Sequence, residues 1–215
     1  MNIIIPARFG SKGLPFKNRK LFEYTANSIP EKYRKSVWIT SDDSVILDFA
    51  ESVGFNSILR PDELATDTSS IREVMHHAID TIHLYKEDDV IMLYLTYPQR
   101  TWQHILDAYS FFSKYSNLGL TQSLLCKKEI NTSPFLYLQA QGISGMFGKQ
   151  LIPHDLYRRQ DYPECFEISH YISIFKAGSI YKLNRNLYCE STIFYPIPDV
   201  IDVDLEKDLL QFNGN

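Results

Sequence analysis

Short apolar runs alternate with stretches of helical periodicity through the first half of this chain, and that alternation constrains the fold more than any other feature. Four runs predict strands, at residues 2–6, 36–40, 55–59 and 90–95. The run from Val90 to Leu95 is apolar throughout, which favours a central strand buried on both faces. Strands that alternate with helices at this spacing indicate an α/β domain with a mostly parallel sheet.

The sequence also indicates where helices begin and end in the first half of the chain. Asp42 or Asp43 can cap a helix that Gly54 ends. Ser70 and Glu73 form a capping box, followed by apolar residues at helical spacing from 71 to 82. Thr101 begins another helix. The sequence therefore predicts helices after the second, third and fourth strands.

The second half is less regular. Strands are predicted at 118–125, 135–140 and 170–175, a helix at 177–183, and short extended runs at 193–197 and 200–203. We find no repeat and no long linker. We therefore expect one domain over residues 1–215, with an irregular insertion around 126–168.

Composition excludes several classes of protein. The chain has 215 residues, 44% apolar and 22% charged, with a net charge of −4, as in globular proteins rather than disordered ones. The longest clean apolar run is six residues, whereas a membrane span needs about 20. The mild acidity argues against nucleic-acid binding. Three cysteines without a CxxC motif, and an N-terminus that is apolar first and basic afterwards, favour a reduced, cytoplasmic protein.

The first candidate site is the loop that follows the first strand. Glycine and serine break the segment after Pro6, and Arg8, Lys12 and Lys17 place cations along it, with no acidic residue before Glu23. Backbone N–H groups of such a loop can hold phosphate oxygens, and Arg and Lys add charge to that cradle. An ordinary basic surface loop is the alternative.

The second candidate site is acidic. Asp202 and Asp204 are two residues apart in an extended run, so they would lie on the same face. Two adjacent carboxylates repel unless a cation separates them, and Mg²⁺ takes one or two carboxylates together with phosphate oxygens. A polar strand edge would explain the same pattern.

The loop also resembles the signature ARxxSKGLPxKN of the acylneuraminate cytidylyltransferases, which join CMP to sugar acids. The matching residues are Ala7, Arg8, Ser11, Lys12, Gly13, Leu14, Pro15, Lys17 and Asn18. The resemblance continues at Thr40–Asp43, at Arg60-Pro61 and at Leu64–Asp67. It implies the Rossmann-like fold of the nucleotide-diphosphosugar transferases, with flanking helices.

That resemblance implies roles for individual residues. Arg8, Lys12 and Lys17 would contact the CTP triphosphate and act in catalysis. Ala7, Ser11 and Gly13 would shape the loop, and Asn18 would lie near the cytosine. Arg60, Ser69 and Ser70 would lie around the base and ribose, although Ser70 could equally be a helix cap.

The acceptor half departs from the family pattern. Thr96, Pro98 and Arg100 match the segment LQPTSPLR, but Tyr94 replaces its glutamine. Residues 158–163 resemble RRQDxP, and residues 169–174 replace the turn NGAIYI. By the resemblance, the acceptor would be bound by Tyr94, Thr96, Arg100, Arg159, Gln160 and His170.

The implied reaction is CTP plus a 2-keto sugar acid of the sialic-acid type giving a CMP-sugar acid and pyrophosphate, with Mg²⁺ held by Asp202 and Asp204. A homodimer is implied, with the segment 126–168 reaching toward the partner subunit. Two alternatives stay open: a cytidylyltransferase for an octulosonic acid or a non-sugar acceptor, and a nucleotide-binding module without turnover.

Overall fold

The computed structural model describes residues 1–10 and 12–214, and its centre is one seven-stranded sheet. The strands of the first half are β1 (Asn2–Pro6), β2 (Val37–Ser41), β3 (Asn56–Leu59) and β4 (Asp89–Met92). Those of the second half are β5 (Ser123–Glu129), β6 (Leu138–Gln141), β7 (Phe147–Gln150), β8 (Phe166–Lys176) and β9 (Ile193–Pro196). The helices are α1 (Lys17–Ser28), α2 (Ser44–Ser52), α3 (Ile71–Thr81), α4 (Trp102–Asn117) and α5 (Glu206–Asn213).

The strand order is β3-β2-β1-β4-β8-β5-β9, and β6 and β7 form a separate hairpin. β1 pairs in parallel with β2 and β4, as do β2 with β3 and β5 with β9. β8 lies antiparallel between β4 and β5. The predicted α/β fold with a mostly parallel sheet is confirmed, with β8 as the exception.

Both faces of the sheet are buried, which explains why its central strands are apolar throughout. Ile3 and Ile5 pack in one core cluster with residues of α1, α2 and α4. Ile4 points to the other face and packs in a second cluster, where Val74 and Ala78 come from α3. No helix in the described parts of the chain is long and apolar enough to cross a membrane.

Two helices were not predicted. α1 begins at Lys17, at the end of the predicted loop, and buries Leu21 and Phe22 against the sheet. Its N-cap is Phe16, whose side chain makes no capping hydrogen bond, so the usual start signal is absent. α5 likewise follows Leu205, which is no polar cap residue. Residues 200–203, predicted as an extended run, lie outside the strands of the sheet.

The predicted irregular insertion contains regular structure. Between β5 and the start of β8, the chain forms the β6–β7 hairpin, which we call the arm. Every residue of β6 and β7 is exposed. The arm and the residues that flank it expose several large apolar side chains: Leu136, Tyr137, Leu138, Ile143, Met146, Phe147, Leu151 and Tyr157.

Candidate active site

A cavity of about 290 Å³ opens where β1 and β4 end and α3 begins. In open α/β sheets, ligands bind at the carboxyl ends of the strands, and this cavity lies there. Its wall combines cationic, polar and apolar residues with one carboxylate, that of Asp67. It is lined by Pro6, Arg8, Lys17, Asn18, Arg60, Thr66, Asp67, Ser69, Ile71, Val74, Tyr94 and Thr96.

The loop between β1 and α1 is anchored at both ends. At its start, Ala7 is buried, and its N–H donates to the Thr40 carbonyl oxygen over 3.0 Å. At its end, the fully buried Leu14 accepts a hydrogen bond from the Lys17 N–H. The Asn18 amide donates to the Arg8 carbonyl oxygen over 2.7 Å, which joins the two ends. Ala7 therefore shapes the loop through its backbone.

Gly13 permits a close approach between this loop and the acidic segment. A Cβ atom at Gly13 would lie 2.5 Å from the Asp204 carbonyl oxygen, too close for any side chain. Glycine is thus required where the two segments meet. Ser11, the remaining predicted residue of the loop, lies outside the described residues.

Each of the three predicted phosphate-binding cations is paired with a carboxylate. Arg8 and Lys12 share Asp67, at 2.6 and 2.5 Å, and Lys17 lies 2.5 Å from Asp204. The hydrogen bonds from Lys12 and Arg8 hold the pKa of the Asp67 carboxyl below its usual range. Asp67 was part of the matched motif but was not predicted as a site residue. Its carboxylate oxygens contact Arg8 and Lys12, which are the same cations that the phosphate oxygens of a ligand would contact.

Arg60 supplies buried positive charge to the cavity wall. It is 4% exposed, and its Nη2 donates to the Thr40 carbonyl oxygen over 2.7 Å. Burial lowers the pKa of Arg60 to about 10, and the negative charge of Asp42 opposes that shift. The guanidinium remains charged at neutral pH, so it can bind an anion or a carbonyl oxygen of a ligand.

Tyr94 lines the same cavity as Arg60, and His170 lies against it rather than in the cavity wall. The Tyr94 and His170 rings pack edge to face, with centroids 5.7 Å apart. Burial raises the pKa of Tyr94 and lowers that of His170, so both side chains are neutral at pH 7. His170 therefore contacts Tyr94, and its predicted role in substrate binding stays a prediction.

The two serines before α3 make different contacts. Ser70 is the N-cap of α3, and its hydroxyl accepts from the Glu73 N–H while Glu73 accepts from the Ser70 N–H. Ser69 lines the cavity, and its hydroxyl donates to the Glu63 carbonyl oxygen over 3.0 Å. The helix-cap interpretation of Ser70 is thus confirmed, and Ser69 is the serine that faces the cavity.

Arg100 lies in the core rather than in the cavity. It is 2% exposed, and it donates to the carbonyl oxygens of Tyr171 and Tyr94 over 2.8 and 2.7 Å. Its Nη2 also reaches the Thr25 hydroxyl, while its buried Nε lacks a partner. The guanidinium therefore joins β8 to the segment after β4 and does not line the cavity, and its predicted contact with substrate stays a prediction.

Arg159 and Gln160 lie in a single exposed 3₁₀ turn, Arg159–Asp161, between the arm and β8. Neither side chain lines the cavity. Lys12 also lies outside the cavity wall, with a side chain that is 80% exposed, although its partner Asp67 lines it. The geometry of one chain thus brings Arg8 and Lys17 to the cavity wall, whereas Lys12 and the RRQD segment lie outside it.

Asp202 and Asp204 flank Val203, whose N–H donates to the Thr96 carbonyl oxygen over 2.8 Å. Val203 is fully buried and both aspartates are exposed, as the predicted alternation requires, although this segment joins no strand. Partial desolvation raises the pKa of Asp202, and the Asp204 carboxylate adds to that rise. A bound cation would relieve this repulsion.

The two carboxylates by themselves do not form a complete metal site. Among the described residues, no group of three or more His, Cys, Asp and Glu side chains could hold a metal ion. Mg²⁺ usually keeps several waters and binds through one or two carboxylates plus substrate phosphates. The pair therefore fits that ion, with a phosphate ligand completing its coordination.

The sheet order and the cation-lined cavity at the carboxyl ends of β1 and β4 define an α/β protein of the nucleotidyltransferase class. Residues 2–132 match the sequence model of the family described as Cytidylyltransferase, which is more than half of the chain, and the chain belongs to that family.

Relatives with established names support the same family. An N-acylneuraminate cytidylyltransferase of Escherichia coli O18:K1:H7 is 37% identical over 122 residues, which cover 52% of this chain and 29% of the relative. One of Streptococcus agalactiae serotype V is 24% identical and covers 99% of this chain and 52% of the relative. The chain thus spans about half, or less, of the length of these relatives.

Two further similarities extend over nearly the whole of both chains. A CMP-N,N'-diacetyllegionaminic acid synthase of Legionella pneumophila is 27% identical over 95% of this chain and 91% of the relative. The solved structure of a CMP:2-keto-3-deoxy-manno-octonic acid synthetase with CTP has a TM-score of 0.68, at 13% identity, and covers 99% of this chain and 96% of the other. The structural similarity establishes the shared fold alone.

Proposed function

We propose that this protein transfers CMP from CTP to a 2-keto sugar acid of the nonulosonic type and releases pyrophosphate. The observation that carries the proposal is the convergence of Arg8, Lys17 and Arg60 on one cavity beside the Asp202–Asp204 segment. Membership of the cytidylyltransferase family supports the choice of nucleotide.

In the proposed reaction, the anomeric hydroxyl oxygen of the acid attacks the α-phosphorus of CTP. A P–O bond forms, the bond from the α-phosphorus to the oxygen that bridges it to the β-phosphorus breaks, and pyrophosphate leaves. Such transfers depend mainly on positioning and on neutralising charge. Arg8, Lys12 and Lys17 would exchange their carboxylate partners, Asp67 and Asp204, for phosphate oxygens when CTP binds.

Mg²⁺ is proposed as the cofactor, with Asp202 and Asp204 as its protein ligands. When bound, the ion would neutralise charge on the phosphate oxygens and polarise the reacting group. If Asp204 exchanges its ion pair with Lys17 for the metal ion, Lys17 becomes free for the triphosphate. Binding of the metal ion by Asp204 and binding of the triphosphate by Lys17 are therefore coupled through the ion pair between these two side chains.

The acceptor is proposed to differ from N-acetylneuraminic acid. Tyr94 offers a phenol and an apolar ring edge where the family pattern has an amide, and His170 packs edge to face against that ring. A site built to hydrogen-bond one substrate rejects analogues strongly. The Legionella relative is named for a differently substituted nonulosonic acid, and it aligns over almost its full length.

The test is a pyrophosphate-release assay with CTP, Mg²⁺ and a panel containing N-acetylneuraminic acid, N,N'-diacetyllegionaminic acid and an octulosonic acid. We expect the highest kcat/KM with the legionaminic acid. A preference for N-acetylneuraminic acid would show that Tyr94 and His170 are neutral substitutions. A preference for the octulosonic acid would show that the acceptor is an octulosonic acid rather than a nonulosonic acid. CTP binding without turnover on any acid would favour a non-catalytic nucleotide-binding module.

The proposed assembly is a cytoplasmic homodimer formed through the arm. The arm exposes Phe147 and Met146 on a hairpin that makes no sheet with the main domain. Apolar patches of this kind are rarely left exposed to solvent. Pairing with the same segment of a second copy would cover them.

A further inference from the structure

Two aromatic rings at the ends of the loop between β1 and α1 are joined by one arginine. The Arg19 guanidinium carbon lies 5.4 Å from the Phe9 ring centroid and 5.0 Å from that of Phe16. The two rings are 6.0 Å apart, and both residues are about half exposed, at 47% and 52%. Both distances from the arginine are within the range of a cation–π contact. We call these three residues the clasp.

The clasp is anchored to a rigid element. Arg19 donates from Nε and Nη2 to the two carboxylate oxygens of Asp43, each over 2.8 Å. Asp43 is the N-cap of α2 and is nearly buried, and Arg19 holds the pKa of its carboxyl below the usual range. The neighbouring Asp42 accepts a hydrogen bond from the Phe9 N–H over 2.8 Å. A bidentate pair of this kind fixes the plane of the guanidinium on which the rings rest.

The conformation of Phe16 is the second observation. Its φ of 56° places it in the left-handed region, which disfavours residues other than glycine, asparagine and aspartate. Strained backbone persists where the surroundings impose it, and such positions cluster at ligand-binding sites. The Phe16 ring contacts the Arg19 guanidinium and the Phe9 ring, and the Phe16 carbonyl oxygen accepts from the Lys20 N–H.

The residues between the two rings include those that would meet the triphosphate. Lys12 and Gly13 lie between Phe9 and Phe16, and Lys12 is largely exposed. None of the three clasp residues lines the cavity. The Arg19 charge is already paired with Asp43, so the clasp acts on the loop rather than on a ligand.

We propose that Arg19 is a positioning residue, which holds the loop between β1 and α1 in its phosphate-binding conformation by stacking on Phe9 and Phe16. This inference rests on the proposed binding of CTP. It predicts that loss of the clasp weakens nucleotide binding while leaving both the chemical step and acceptor binding intact.

Two variants separate positioning from stability. Phe16→Asn removes the ring but suits a left-handed N-cap, so its melting temperature should stay unchanged or rise. Arg19→Lys keeps the charge beside Asp43 but loses the planar, bidentate contact. Lys20→Ala is the matched control, because Lys20 is an exposed neighbouring cation outside the clasp.

The measurements are the Kd for CTP with Mg²⁺ by titration calorimetry, the melting temperature, and the steady-state constants with a turned-over acid. We expect both variants to raise the Kd and the KM for CTP by about 3- to 10-fold, as one or two cation–π contacts would. The kcat and the KM for the acid should match the unsubstituted protein, and the control should change none of these.

Three results would overturn the proposed role of the clasp. An unchanged Kd in both variants overturns the clasp, whatever happens to the melting temperature. Weakening by Phe16→Asn alone means that the ring contacts the nucleotide directly, which also overturns the role of Arg19. If the unsubstituted protein does not bind CTP, the proposed function fails first, and the clasp fails with it.

Discussion

At the scale of single residues, the site is a set of cations that the protein neutralises with its own carboxylates. Lys12→Ala and Lys17→Ala should each raise the KM for CTP by about 10- to 100-fold, since a charged hydrogen bond is worth about 1.5–3 kcal/mol. Steady-state kinetics against CTP, with circular dichroism to confirm the fold, would measure this. Lys20→Ala is the control, and an unchanged KM in a folded Lys12→Ala protein would refute the phosphate assignment.

Asp202 gives a prediction in which activity and stability change in opposite directions. Its pKa is raised in the folded state, so ionising it costs folding stability at pH 7. Asp202→Asn should therefore abolish most turnover and yet raise the melting temperature without Mg²⁺. That gain should shrink as the pH falls through the raised pKa of the folded state, and it should be lost by about pH 4, where the carboxyl is protonated in the unfolded chain too.

Thermal melts from pH 4 to pH 8 in EDTA would follow that gain, alongside pyrophosphate assays with Mg²⁺. Asp204→Asn is the companion variant, and it should lose turnover as well because it removes the second carboxylate and the partner of Lys17. Full activity of both variants would show that Asp202 and Asp204 are not metal ligands and belong only to an exposed polar segment.

At the scale of the element, the start of α3 separates a structural serine from a binding one. Ser70→Ala removes the N-cap hydroxyl and should lower the free energy of unfolding by about 1 kcal/mol. Ser69→Ala should leave stability nearly unchanged but raise the KM for CTP, because Ser69 lines the cavity. Urea melts and kinetics on the two variants would test this contrast. The reverse result would exchange the two roles.

The arm makes the prediction that belongs to the whole molecule. Phe147→Glu and Met146→Glu place charge on its exposed apolar surface, so they should convert a dimer into monomers. Sedimentation velocity would measure the mass, and Tyr85→Glu is a matched control, since Tyr85 is an exposed aromatic residue remote in sequence from the arm. A monomeric unsubstituted protein would contradict the proposed assembly.

The sequence alone determined the fold class and the location of the site. Continuous apolar runs such as Ile3–Ile5 require burial on both faces, and a capping box such as Ser70–Glu73 is a local signal. Both can be recognised without knowing what packs against them. The helix α1 has no such local signal. Its start depends on burial of Leu21 and Phe22 and not on a polar cap, so the sequence did not predict it.

Only the tertiary structure decided what each motif residue does. Arg100 matches the family segment as well as Arg8 does, yet it is buried among the carbonyl oxygens of Tyr94 and Tyr171. Asp67 belongs to the site because the segment that precedes α3 meets the loop after β1, which brings Asp67 to Arg8. Contacts between residues so distant in sequence depend on how the strands are ordered in the sheet, and local patterns carry no record of that order.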